Sequence, residues 1–190
     1  MVRGLLTLVA LATLIGAGAH VVVSQPPWRT LLHVAVAPAP EFLPIPVAGV
    51  RPAMLADTFG APRPGGRRHQ GIDIFAKRGT PVVAPIGGVV LRTGQNRLGG
   101  NVVWLLGPGQ QVHYFAHLDR FGVFDASDVV RAGDVLGYVG NTGNAKGTPP
   151  HLHYGIYAPP GGAVNPFPML RTRPTSASRS AAGEHRRSPT

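Results

Sequence analysis

Along the middle of the chain, apolar residues come in short runs bounded by Gly and Pro. Pro81-Val82-Val83-Ala84, Gly88-Val89-Val90-Leu91, Asn101 to Leu106 and Gln111 to Leu118 are four such runs. Their length and their β-branched and aromatic content predict strands. Gly107-Pro108-Gly109 predicts a hairpin loop between the last two. Val130-Arg131-Ala132-Gly133-Asp134-Val135-Leu136-Gly137 reads as strand, turn and strand. No sustained 3.6-residue period interrupts this series, so the expectation is an all-β, mainly antiparallel domain with short loops.

The two ends break the pattern. Leu5 to Ile15 is an apolar run behind Arg3, and it continues through Ala17-Gly18-Ala19 to Val23. It predicts an N-terminal apolar helix: a secretory signal peptide cut after Ala19, or an uncleaved anchor at a membrane. Either implies export, to a periplasmic or cell-wall location. Residues 24–46 carry Pro26, Pro27, Pro38, Pro40, Pro44 and Pro46 and predict an extended linker, with Leu31 to Val36 able to add an edge strand. The domain is expected over residues 47–170. Residues 171–190, rich in Ser, Arg and Pro, predict a disordered basic tail.

Composition changes the picture in three ways. With 26 Gly and 20 Pro in 190 residues, long helices are disfavoured. The absence of Cys removes thiolate ligands, disulfides and a Cys nucleophile, so a metal here must be held by His and carboxylate. The net charge of +10 favours polyanionic surroundings such as anionic lipid or an anionic cell wall. The basic residues are not interleaved with aromatics, which argues against nucleic acid.

Candidate chemistry gathers at His151-Leu152-His153, between Pro149-Pro150 and Tyr154-Gly155-Ile156-Tyr157. Two His residues two positions apart share a face on a strand and not on a helix. Such a pair suits either a metal site or acid–base work. Upstream, His69, Gly71 and Asp73 share one face of an extended segment, with Ile72 and Ile74 on the other. Alternation also places His113 and His117 on one face, with His113 at a packing or rim position. It gives Tyr114 and Tyr154 to the core.

Taken together, His69-Gln70-Gly71-Ile72-Asp73, Tyr114-Phe115-Ala116-His117-Leu118 and Gly140-Asn141-Thr142-Gly143 leading to His151-Leu152-His153 resemble the lysostaphin/LytM-type zinc endopeptidases of bacterial cell walls. The resemblance covers roughly Pro46 to Leu170. It implies a LytM-like barrel-sandwich of duplicated hybrid motifs, Zn2+ held by His69, Asp73 and His153, and catalytic roles for His117 and His151. Two imidazoles and one carboxylate leave a fourth tetrahedral position open, as catalytic zinc requires. The implied substrates are peptidoglycan stem peptides. Without a separate wall-binding domain in these residues, D-alanyl–diaminopimelate links are expected before glycyl–glycine bridges. Asn96, Arg97 and Asn144 fall in loops that wall the groove of such enzymes and become candidate substrate contacts. The rival reading is a non-enzymatic LytM-like regulator of another wall hydrolase. Such regulators typically lack the ligand residues, and this chain retains all five motif positions.

Overall fold

In the computed structural model, residues 27–171 are described. The apolar N-terminal run and the basic tail lie outside them. One α-helix, α1 (Pro27–Val36), leads into twelve strands among the described residues, with four short 3-10 turns between or after them. The strands are β1 (Pro62–Arg63), β2 (Arg67–Arg68), β3 (Ile72–Phe75), β4 (Pro81–Val83), β5 (Gly88–Asn96), β6 (Gly100–Leu106), β7 (Val112–Leu118), β8 (Arg120–Phe121), β9 (Val129–Val130), β10 (Val135–Tyr138), β11 (His151–Ala158) and β12 (Gly162–Val164).

The largest sheet runs β12-β11-β7-β6-β5-β9, and β3 joins it by pairing with β11. A second sheet runs β4-β10-β8, and β1 and β2 form a separate hairpin. Every pairing is antiparallel. The strands expected between residues 81 and 137 are all present, with one difference in how they pair. β9 and β10 do not join each other across the Arg131–Asp134 turn: β9 pairs with β5 and β10 with β4 and β8. The turn therefore carries the chain from one sheet to the other.

The core lies between these two sheets. Val82 and Leu136 come from the smaller, and Ile72, Ile74, Val103, Phe115, Leu152, Tyr154 and Ile156 from the larger. On β11 the even-numbered residues enter this core, which leaves His151 and His153 on the opposite face.

Leu31 to Val36, expected to add an edge strand, is helical. Pro27 occupies the first helical position, where its missing N–H costs nothing, and Ala37 N–H closes the last turn on the His33 carbonyl at 2.8 Å. Val34 is buried against the domain, and that tertiary contact outweighs the strand preference of a Val-rich run. The Pro-rich stretch after α1 is extended but is not a free spacer. Leu43 is buried in the core, and its N–H donates to the Met169 carbonyl at 2.7 Å.

Candidate active site

Three elements bring the motif residues to one cleft of about 600 Å³. β3 carries Asp73, β11 carries His151 and His153, and the end of β7 carries His117. His69 precedes β3 and is held by its own backbone, with His69 N–H donating to the Ala61 carbonyl at 2.9 Å. β3 and β11 are registered so that Asp73 faces His153 across the ladder. Gly71 makes the close approach possible: a Cβ there would lie 2.4 Å from the Tyr154 carbonyl oxygen. Its role is to let two backbones meet.

The donor atoms converge. His69 Nε2 lies 2.8 Å from His153 Nδ1, and Asp73 Oδ1 lies 3.2 Å from the first and 3.4 Å from the second. Donors around one tetrahedral zinc, bound at about 2.0–2.2 Å, sit roughly 3.3 Å apart. The trio therefore fits a single small cation, and its chemistry of two imidazoles and one carboxylate fits zinc.

Surrounding groups fix how these side chains point. His69 Nδ1–H donates to the Thr58 carbonyl at 2.7 Å, which leaves Nε2 unprotonated toward the centre. The Thr58 hydroxyl accepts from the Asp73 backbone N–H at 3.2 Å. His117 Nδ1–H donates to the Thr142 carbonyl, and His151 Nδ1–H to the Pro149 carbonyl, each at 2.9 Å. Both thus turn Nε2 into the cleft, with ring centroids 5.0 Å apart. Arg63, on β1, donates to Asp73 Oδ2, the oxygen that does not face the imidazoles.

Charge follows geometry. Burial would raise the Asp73 carboxyl, but hydrogen bonds with His153, His69 and Arg63 outweigh it and hold the group well below the ordinary carboxylate range. His117 is pushed down to about 4, chiefly by burial and then by neighbouring His153 and His151. Burial also lowers His153.

His117 reaches the cleft by an irregularity. Along β7, His113 and Phe115 point into the interior while Tyr114 and Ala116 line the cleft. Strict alternation would bury His117 with the first pair. Its φ of +65° turns it onto the other face, and the turn is held by His117 N–H donating to the Gly99 carbonyl at 2.7 Å. His113 and His117 therefore do not share a face. His113 is fully buried and hydrogen-bonded with the Tyr154 hydroxyl at 2.7 Å. Tyr154 is in the core as expected. Tyr114 is buried too, in a second, smaller apolar cluster with Val102 and Ala116, where it packs on Trp104 beside the cleft with ring centroids 4.2 Å apart.

Of the loop candidates, Asn144 lines the cleft. Asn96 accepts from the Leu98 and Gly99 N–H groups and so shapes the wall. Arg97 is exposed and is not among the lining residues. Sequence reasoning missed Thr58 and Arg63. Thr58 acts largely through a backbone carbonyl and left no pattern. Arg63 had a signal, because Gly65-Gly66 between two short arms marks a hairpin, and both glycines take positive φ.

A cleft with a His/Asp/His trio and two further inward-facing imidazoles, on antiparallel sheets, defines a metallopeptidase-type site. Residues 67–166 match the family model for Peptidase family M23, and the chain belongs to that family. It is 43% identical over 117 residues to an L-Ala–D-Glu endopeptidase of Bacillus subtilis, a match covering 56% of this chain and 36% of that protein. It is 42% identical over 88 residues to the DD-carboxypeptidase/endopeptidase Mpg of Neisseria meningitidis, covering 46% and 20%. The chain thus spans about a third or less of these relatives' length. The solved catalytic domain of lysostaphin from Staphylococcus simulans superposes with a TM-score of 0.56 at 30% identity, over 62% of this chain and 91% of that domain.

Proposed function

We propose that this chain is an exported zinc endopeptidase that hydrolyses peptide bonds in acidic peptidoglycan stem peptides. The observation that carries this reading is the convergence of His69, Asp73 and His153 on one point, with His117 and His151 facing it from adjacent strands. His69 Nε2, Asp73 Oδ1 and His153 Nδ1 would hold the ion. When bound, zinc would supply acidified water, with its pKa brought from about 15.7 to about 7, and a Lewis acid at the scissile carbonyl.

The chain's own residues do the rest. His117, neutral at pH 7, is fit to accept a proton through Nε2 and to pass it to the leaving amine. His151 Nε2, 3.9 Å from Asp73 Oδ1, completes the proton-handling pair. Arg63 keeps the Asp73 carboxylate turned so that one oxygen alone faces the imidazoles. Tyr114 and Tyr157 wall the cleft and limit water on that side.

The cleft rim favours an acidic substrate. Arg67 and Arg68 of the β1–β2 hairpin line it and are exposed, which suits a peptide carrying free carboxylates better than a neutral glycyl bridge. Relatives act on L-Ala–D-Glu bonds and carry DD-endopeptidase names, and both bonds lie in such stems. D-alanyl–diaminopimelate remains the first bond to test and L-Ala–D-Glu the second. The apolar run at residues 5–23 supports export, with that segment lying at a membrane before or instead of cleavage.

The test is digestion of isolated peptidoglycan and purified muropeptides before and after chelation, with metal content measured alongside. The expected result is about one zinc per chain, with cleavage lost on chelation and restored by Zn2+. Metal-loaded protein that leaves every stem peptide intact would overturn the reading.

A further inference from the structure

At the other end of β7 from His117, helix α1 presents an apolar face to the outside. Trp28, Leu31, Leu32 and Val36 are 58%, 49%, 56% and 72% exposed, and Ala35 is exposed with them. Their spacing of i, i+3, i+4, i+7 and i+8 makes one continuous stripe. The opposite side of the helix buries Val34 on the domain, so the stripe faces away from it. Four of the ten exposed large hydrophobic residues in the described structure fall within these nine positions. A folded domain seldom concentrates exposed apolar side chains this way without a partner.

Beside the stripe runs a second cleft, of about 590 Å³, lined by Arg29, Thr30, His33, Pro108, Arg131 and Asp134. Arg29 and His33 follow the stripe along one edge of the helix. An apolar stripe with Trp at one end and cations along its flank is the pattern of a helix lying in a lipid–water interface. The chain immediately before it points the same way. Leu5 to Val23 is apolar and ends four residues before Pro27. The net charge of +10 suits an anionic surface.

We propose that α1 is an interfacial helix that seats this domain on an anionic lipid bilayer, the stripe entering the acyl boundary and the basic edge of the helix lying at headgroup level. This rests on the reading that residues 4–23 lie at a membrane. The arrangement sets His117 and the His69–Asp73–His153 trio toward the far end of a seven-residue strand, roughly 20 Å from the helix.

The test uses the full chain with vesicles of anionic phospholipid whose acyl chains are brominated, since bromine quenches Trp on contact. The contribution of Trp28 is the difference between the wild type and Trp28→Phe. The expected result is flotation with the vesicles and a quenched, blue-shifted Trp28 signal. In Leu31→Glu/Leu32→Glu, flotation through residues 4–23 should persist while the quenching is lost and soluble muropeptide hydrolysis stays unchanged. Flotation with an unquenched Trp28 would overturn the proposal and leave the membrane reading intact. Failure to float would overturn both. The chain has no Cys, so Leu32→Cys gives a single reporter. Its efficient cross-linking into a dimer on vesicles would overturn the proposal by assigning the stripe to a second copy.

Discussion

β11 and β7 lie side by side and each delivers imidazoles to the cleft, yet they do so by different rules. On β11 regular alternation is enough: Leu152, Tyr154 and Ile156 fill the core, and His151 and His153 are left facing the cleft. On β7 the same alternation sends His113 inside, and only the left-handed turn at His117 brings that residue outward. A regular strand gives two functional side chains on one line. A broken one supplies a third from a neighbouring line, so that His117 meets His151 across the cleft rather than along a strand. The irregularity has a cost, about 1–3 kcal/mol for a non-Gly residue held in this region. It is held there by the Gly99 and Thr142 backbones.

The largest effects are expected on the regular strand. Asp73→Asn removes the charge that would balance an ion held beside β11, and hydrolysis should fall on the order of 10³-fold or more, with zinc content falling in parallel. Muropeptide turnover and metal analysis on the same preparation check this. Arg63→Ala leaves all three donors in place but frees Asp73 Oδ2. Zinc affinity should weaken about 10–100-fold, read by competition with a chelating dye, while circular dichroism stays that of the parent. Arg63→Lys should recover only part of it, because a single ammonium lacks the fork of a guanidinium.

The irregular side is tested by a pair. His117→Asn keeps a residue that tolerates left-handed φ, whereas His117→Val does not. Both should lose activity. Only the Val variant should also lose about 1–3 kcal/mol of stability in urea unfolding. Equal stabilities would mean that the turn is not strained in the way its φ suggests.

The smallest effect concerns the residue that alternation did bury. His113 has its folded pKa pushed down to about 4 by burial, below the ordinary value near 6.5. The unfolded chain therefore binds the extra proton first as pH falls. The stability linked to His113 is fully present above about pH 6.5 and is lost as pH drops through about 4. His117 titrates in the same range, so the informative measurement is the difference in slope of unfolding midpoint against pH between the parent and His113→Asn. A shallower slope in the variant is the expected outcome.

This contrast also explains what could be read beforehand. The sheet, the H-x-H face and the Gly71-Ile72-Asp73 segment are local patterns, and local patterns survive in a bare sequence. The exit of His117 depends on backbone hydrogen bonds with Gly99 and Thr142, distant in the chain, so alternation alone puts His113 and His117 on one face. The helical state of Leu31 to Val36 depends on the pocket that Val34 fills. Arg63 and Thr58 gain their places only when the β1–β2 hairpin folds over β3.

His69 and His153 are 84 positions apart, and their ring nitrogens lie 2.8 Å from each other in a chain without cysteine. An ion shared by these residues would therefore act as a clasp, closing a loop that spans most of the domain. Clips that close long loops restrict the unfolded chain most. Loss of the ion would then do more than stop hydrolysis. It would loosen the sheet edge formed by β3 and β11 and expose the protein to proteolysis. The supply of metal would in this way set how long each molecule lasts as well as whether it works.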